Sequence, residues 1–220
     1  MHTTNDLPLV AILRGVTPDE VLAHIEAIAQ AGFTTVEIPL NSPDWQQSIA
    51  LAVKHYGGKM RVGAGTVTDV SNIPILAAMG CQFILTPNTD PAVITAARAH
   101  GMEVCVGCLT ASEAFSALRS GASSLKIFPA GEVGSGYIRA LRAVLPADAV
   151  LYAVGGITTD NLAHYLRAGC EGVGLGSDLY RAGQPVAKTH EQAQAFMLSW
   201  QTAQRPPAPR ANDAGYVLRE

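Results

Sequence analysis

Short apolar runs rich in β-branched residues alternate along the chain with alanine-rich amphipathic stretches, at a nearly constant spacing. That alternation is the pattern of repeated strand–helix units around a parallel sheet. Eight runs read as strands: residues 9–14, 34–38, 60–64, 82–85, 103–106, 124–128, 150–154 and 172–175. The stretches between them carry helix-opening signals such as Thr17-Pro18-Asp19-Glu20, Thr68-Asp69, Asp90-Pro91 and Thr159-Asp160. Several end just before a glycine, at Gly32, Gly80, Gly101, Gly121 and Gly169, where a left-handed residue turns the chain toward the next strand. Eight such units predict an α/β fold, a single (β/α)8 TIM barrel over residues 1–202. The proline-rich stretch that follows breaks the pattern, so residues 203–220 are expected to form an extended or disordered tail.

One position violates the hydrophobic pattern. Lys126 lies inside the apolar run Ser124-Leu125-Lys126-Ile127-Phe128-Pro129, the only one of four lysines that a strand would carry toward an interior. Desolvation lowers the pKa of such an amine and frees its lone pair to attack a carbonyl near neutral pH, which points to Schiff-base chemistry. The alternative is that the side chain snorkels to the surface beside a carboxylate.

Active sites of this barrel lie at the C-terminal ends of the strands. Arg14 is expected at the end of the first, Glu37 near the end of the second, and Thr66 after Gly63-Ala64-Gly65 of the third. Strand alternation places Lys126 opposite Leu125 and Ile127, and Glu37 opposite Val36 and Ile38. If those apolar residues pack on the helices, Lys126 and Glu37 both point inward. Glu37 then either forms a buried ion pair with Arg14 or Lys126, or moves protons for a lysine nucleophile. A lysine, a proton-shuttling carboxylate and an arginine for a substrate carboxylate form the minimum set for retro-aldol cleavage of a 2-keto acid. Glycine occurs at the ends of the last two strands, in Gly155-Gly156 and Gly176-Ser177, the backbone positions where this barrel often binds phosphate. Tight turns alone would also explain them.

With 220 residues, 48% hydrophobic and 15% charged, the chain can bury one sizeable core. A net charge of -3 with scattered signs offers no basic stripe for nucleic acid or an anionic membrane, leaving small molecules as the expected partners. The polar start of the chain and the lack of a long apolar span lead to an expected cytoplasmic location. Cys105 and Cys108 match a C-x-x-C spacing, but with no second pair they read as core residues. His24, His55, His100, His164 and His190 fall in or at the ends of predicted helices, and His2 in the N-terminal arm. No imidazole is therefore expected at a strand end to bind a metal. No cofactor is expected.

Glu37, Gly63-Ala64-Gly65-Thr66-Val67, Lys126-Ile127-Phe128-Pro129-Ala130 and Gly155-Gly156-Ile157, in this order and spacing, resemble the class I KDPG/KHG aldolase family from about Leu7 to Trp200. The resemblance implies a homotrimeric, metal-free lyase that cleaves a 2-keto-3-deoxy-6-phospho sugar acid to pyruvate and D-glyceraldehyde 3-phosphate. It implies Lys126 as the Schiff-base lysine and Glu37 as proton donor and acceptor. Arg14 and Thr66 would hold the pyruvate portion, Pro87 and Phe128 would line the pocket, and Gly155, Gly156, Gly176 and Ser177 would receive the phosphate. Members acting on the gluconate epimer carry a threonine before the paired glycines; here Val154 stands there, which resembles the phosphogalactonate branch and D-galactonate catabolism. Phosphogluconate and 4-hydroxy-2-oxoglutarate remain open as substrates. So does a metal-free phosphosugar isomerase or epimerase reading, in which Lys126 only neutralises charge.

Overall fold

The computed structural model describes residues 9–204. Eight parallel strands close into a barrel in sequence order: β1 (Leu9–Ile12), β2 (Thr35–Pro39), β3 (Arg61–Gly65), β4 (Phe83–Leu85), β5 (Glu103–Cys108), β6 (Ser124–Ile127), β7 (Leu151–Val154) and β8 (Gly172–Leu175). Eight helices follow them: α1 (Val21–Gln30), α2 (Trp45–Tyr56), α3 (Ile73–Ala78), α4 (Pro91–Ala99), α5 (Ala111–Arg119), α6 (Ala130–Arg142), α7 (Leu162–Arg167) and α8 (Val186–Gln204). The predicted (β/α)8 barrel is the observed fold. The strand ends shift by a residue or two, and β5 runs on to Cys108. The first strand stops at Ile12, so Arg14 lies in the turn after β1 rather than at its end, next to Gly15 at φ 85°.

Several of the local signals act as their chemistry requires. Asp90 caps α4 by accepting from the Ala92 N–H, with Pro91 in the first turn, and Asp69 accepts from the Ser71 N–H. Thr110 and Glu113 form a reciprocal capping box on α5. Gly32 and Gly169 both adopt φ 102°, the left-handed turn expected of the repeated Ala-Gly. Helix α8 continues through Gln204, two residues past the boundary expected at 202; the remainder of the expected tail, from residue 205, lies outside the described residues.

Alternation sorts the strand residues into two cores. Ala11, Val36, Ile38, Val62, Leu125, Ile127 and Val173 face outward and pack with the helices. Val10, Ile12, Phe83, Leu85, Cys105, Tyr152 and Val154 form a separate cluster inside the barrel. An ion pair between Arg61 and Glu103 at 2.9 Å, with the guanidinium 5.5 Å from the Phe83 ring centroid, lies at the N-terminal ends of β3 and β5. Cys105 and Cys108, three apart on one strand, face opposite sides of the sheet, so the C-x-x-C spacing brings no pair of thiols together. All four cysteines are buried and reduced.

Strand β3 shows how the interior makes room for a polar residue. Its inward positions are Arg61, Gly63 and Gly65. A Cβ at Gly63 would lie 2.5 Å from the Phe83 carbonyl oxygen and 2.6 Å from its ring, and one at Gly65 would lie 2.5 Å from the Glu37 carboxylate. Bulk at either position would displace a neighbour. Gly63→Ala is expected to destabilise the barrel by about 1–3 kcal/mol, a fall of about 5 °C in Tm measured by calorimetry.

Candidate active site

Lys126 points into the barrel from β6 and is 6% exposed; Glu37 points in from β2 and is 2% exposed. The lysine therefore does not snorkel to the surface. The Lys126 Nζ sits 5.1 Å from the centroid of the Phe128 ring, whose face favours its protonated form. Burial nevertheless lowers its pKa, opposed by the nearby Glu37 charge. Burial also pushes the Glu37 carboxyl up to about 7, against the pull of Lys126 and Arg14. Neither forms an ion pair, and Glu37 Oε2 is buried with no hydrogen-bond partner among the described residues. The two groups thus influence each other through a gap instead of neutralising each other in contact, and the Glu37 carboxyl, at about 7, can change protonation near neutral pH.

Above them opens a cavity of about 560 Å³ at the C-terminal mouth of the barrel. Arg14, Thr66, Pro87 and Phe128 line it, as do Val154, Gly155, Gly156, Gly176 and Ser177. Every residue expected around the substrate thus borders one space, with Lys126 and Glu37 one layer deeper. The Arg14 guanidinium donates to Asn41 Oδ1 at 2.7 Å and to Thr66 Oγ1 at 3.3 Å, and Thr66 itself is held at φ 55°, a strained conformation for a β-branched residue. Pro87 can approach β5 because residue 107 is glycine; a Cβ there would lie 2.4 Å from the Pro87 carbonyl carbon. Gly155 and Gly156 take φ 89° and 73°, and a Cβ on Gly155 would crowd the Phe128 ring at 3.2 Å. The backbone N–H groups of Gly155, Gly156, Gly176 and Ser177 donate to nothing else among the described residues, which leaves them for an anion.

The description "KDPG and KHG aldolase" matches residues 2–194. The chain belongs to this family. It is 56% identical over 203 residues to the 2-dehydro-3-deoxy-6-phosphogalactonate aldolase of Escherichia coli (strain K12), covering 92% of this chain and 99% of that one. It is 42% identical over 193 residues to the probable 2-dehydro-3-deoxy-6-phosphogalactonate aldolase of Rhizobium meliloti (strain 1021), covering 88% and 91%. Among solved structures, one described as native KDPGal superposes with a TM-score of 0.90 at 56% identity, covering 92% of this chain and 98% of its own.

Other cavity residues of the aldolase were not singled out by the sequence. Ile12, Asp178, Tyr180 and Arg181 also border the mouth, and Asn41 orients Arg14. Ile12 was hidden by its role as an ordinary strand residue. Asp178, Tyr180 and Arg181 sit in the connection after β8, where strand alternation no longer says which way a side chain points. A larger groove of about 670 Å³ lies between α7 and α8, beside Cys170 and Trp200, away from Lys126.

The raised Glu37 pKa has a stability consequence. Its folded value, about 7, exceeds the unfolded 4.5, so the folded state holds the proton more tightly and stability falls as pH rises between those values. Glu37→Gln, isosteric with the neutral acid, is expected to abolish most activity yet raise stability at pH 8 by up to about 3 kcal/mol. The gain should vanish below about pH 4.5, where both states are protonated, and denaturant unfolding across the pH range measures it.

Proposed function

We propose that this chain is a class I aldolase that cleaves 2-dehydro-3-deoxy-6-phospho-D-galactonate to pyruvate and D-glyceraldehyde 3-phosphate, within D-galactonate catabolism. The observation that carries the reading is a desolvated Lys126 amine beneath a mouth lined by Arg14 and by residues with free backbone N–H groups. The names of the two relatives above, at 56% and 42% identity, support the galactonate epimer. A phosphogluconate aldolase of Pseudomonas aeruginosa is more distant, 30% identical over 162 residues.

In this reading the neutral Lys126 amine adds to the C2 carbonyl, and loss of water leaves a protonated imine. Removal of the C4 hydroxyl proton, by Glu37 directly or through a water, lets the C3–C4 electron pair move into the imine as the bond breaks. D-Glyceraldehyde 3-phosphate leaves and an enamine remains. Glu37 returns the proton to C3, and water hydrolyses the imine to release pyruvate and restore Lys126. A carboxyl poised near 7 can perform both transfers without a large driving-force penalty. Arg14 and Thr66 are assigned to the pyruvate carboxylate, Pro87 and Phe128 to the walls, and Gly155, Gly156, Gly176 and Ser177 to the phosphate. Val154, buried in the interior cluster, offers no hydroxyl near C4.

The proposal includes a cytoplasmic homotrimer. A chain 57% identical to this one, covering 91% of it and 74% of that chain, occurs in a protein cage designed by fusing symmetric oligomeric domains, which supports oligomerisation. No helix among the described residues is long and apolar enough to cross a membrane.

Borohydride reduction with pyruvate should leave a covalent adduct that peptide mass mapping locates on Lys126, and Lys126→Met should show none. An unmodified Lys126 in folded protein would refute the imine. With the two phosphorylated epimers compared directly, kcat/KM is expected to favour the galactonate form. Val154→Thr should narrow that preference by about fivefold, the worth of one hydrogen bond near 1 kcal/mol.

A further inference from the structure

Besides Arg14, the cavity mouth has a second cationic wall residue that none of the assigned roles uses. Arg181 borders the same space as Gly155, Gly156, Gly176 and Ser177. Its Nε donates to the Ser177 carbonyl at 2.9 Å, which ties the guanidinium to the loop carrying the free N–H groups. The two terminal nitrogens have no hydrogen-bond or ion-pair partner among the described residues. A planar guanidinium held by one edge and open at the other is suited to a phosphate oxygen pair.

The loop under Arg181 is fastened from several directions. Gln184 accepts from the Arg181 backbone N–H at 3.1 Å and donates to the Leu179 carbonyl at 3.1 Å and to Thr189 Oγ1 at 2.7 Å. Tyr180 donates to Glu20 at 2.9 Å, and its ring meets buried His24 edge-on, with centroids 4.8 Å apart. His24 in turn bonds Thr189 at 2.9 Å. Helices α1 and α8 therefore fix the segment that presents Arg181. Electrostatics point the same way. Asp178 borders the cavity too and would repel a phosphate dianion, so a site of backbone N–H groups alone would be poorly matched.

Resting on the proposed aldolase reading, we infer that Arg181 is a phosphate-binding and substrate-selecting residue, its terminal N–H groups donating to the substrate phosphate beside the Gly176-Ser177 backbone. Arg14 and Arg181 then divide the substrate's charges, Arg14 taking the carboxylate and Arg181 the phosphate.

The test uses Arg181→Met and Arg181→Lys in the full chain. Three constants are measured: KM for the phosphorylated substrate, the inhibition constant of inorganic phosphate, and the pyruvate concentration giving half-maximal borohydride trapping on Lys126. Arg181→Met is expected to raise the first two by about tenfold to a hundredfold, as for loss of a charge-assisted hydrogen bond. The pyruvate value should rise far less, and Arg181→Lys should fall between. First two constants within twofold of the parent, an equal rise in all three, or loss of trapping in both variants would overturn the assignment. Failure of the aldolase reading is separate: it would appear as no adduct on Lys126 in the unmutated protein.

Discussion

A primary amine placed inside a closed barrel, deprived of water and held near a carboxylate without touching it, is the constraint on which the rest of this structure depends. Burial alone would neutralise Lys126, and contact with Glu37 would restore its charge. Across the gap, burial lowers the Lys126 pKa against the pull of Glu37 and raises the Glu37 carboxyl to about 7. Such a gap is stable only in a rigid frame. Eight strands bonded in a ring, packed outside by Val36, Ile38, Leu125 and Ile127, provide that frame.

The interior has been cut to fit around this pair. Gly63 makes room for Phe83, Gly65 for the Glu37 carboxyl, and Gly107 for Pro87. These glycines serve close approach, whereas Gly155 and Gly156 serve backbone direction at the mouth. The unpartnered Glu37 oxygen and the left-handed Thr66 are local costs of a poised site, offset by the surrounding barrel.

Much of this was legible in the chain because strands impose a period of two. Once Leu125 and Ile127 are assigned to the helices, Lys126 has only one direction left, and Val36 and Ile38 do the same for Glu37. The regular spacing of the units identified the barrel, and the barrel identified the catalytic end. Legibility stopped where periodicity stopped. Arg14 was placed at the end of a strand that closes two residues earlier, and Asn41, Asp178, Tyr180 and Arg181 sit on turns, where Asn41 and Tyr180 are held by distant partners, Arg14 and Glu20.

The four buried cysteines give the barrel a set of built-in reporters. Burial pushes Cys81, Cys108 and Cys170 up to about 12 and Cys105 up to about 11, so none is a thiolate in the closed protein. Cys105 belongs to the inner cluster and the other three to the outer core. A thiol reagent can therefore reach Cys81, Cys105 and Cys108 only when the layer covering each parts, whereas Cys170 borders the groove between α7 and α8. Labelling rates resolved by position would separate breathing of the helical shell from opening of the strand ring, with no probe added to the native sequence.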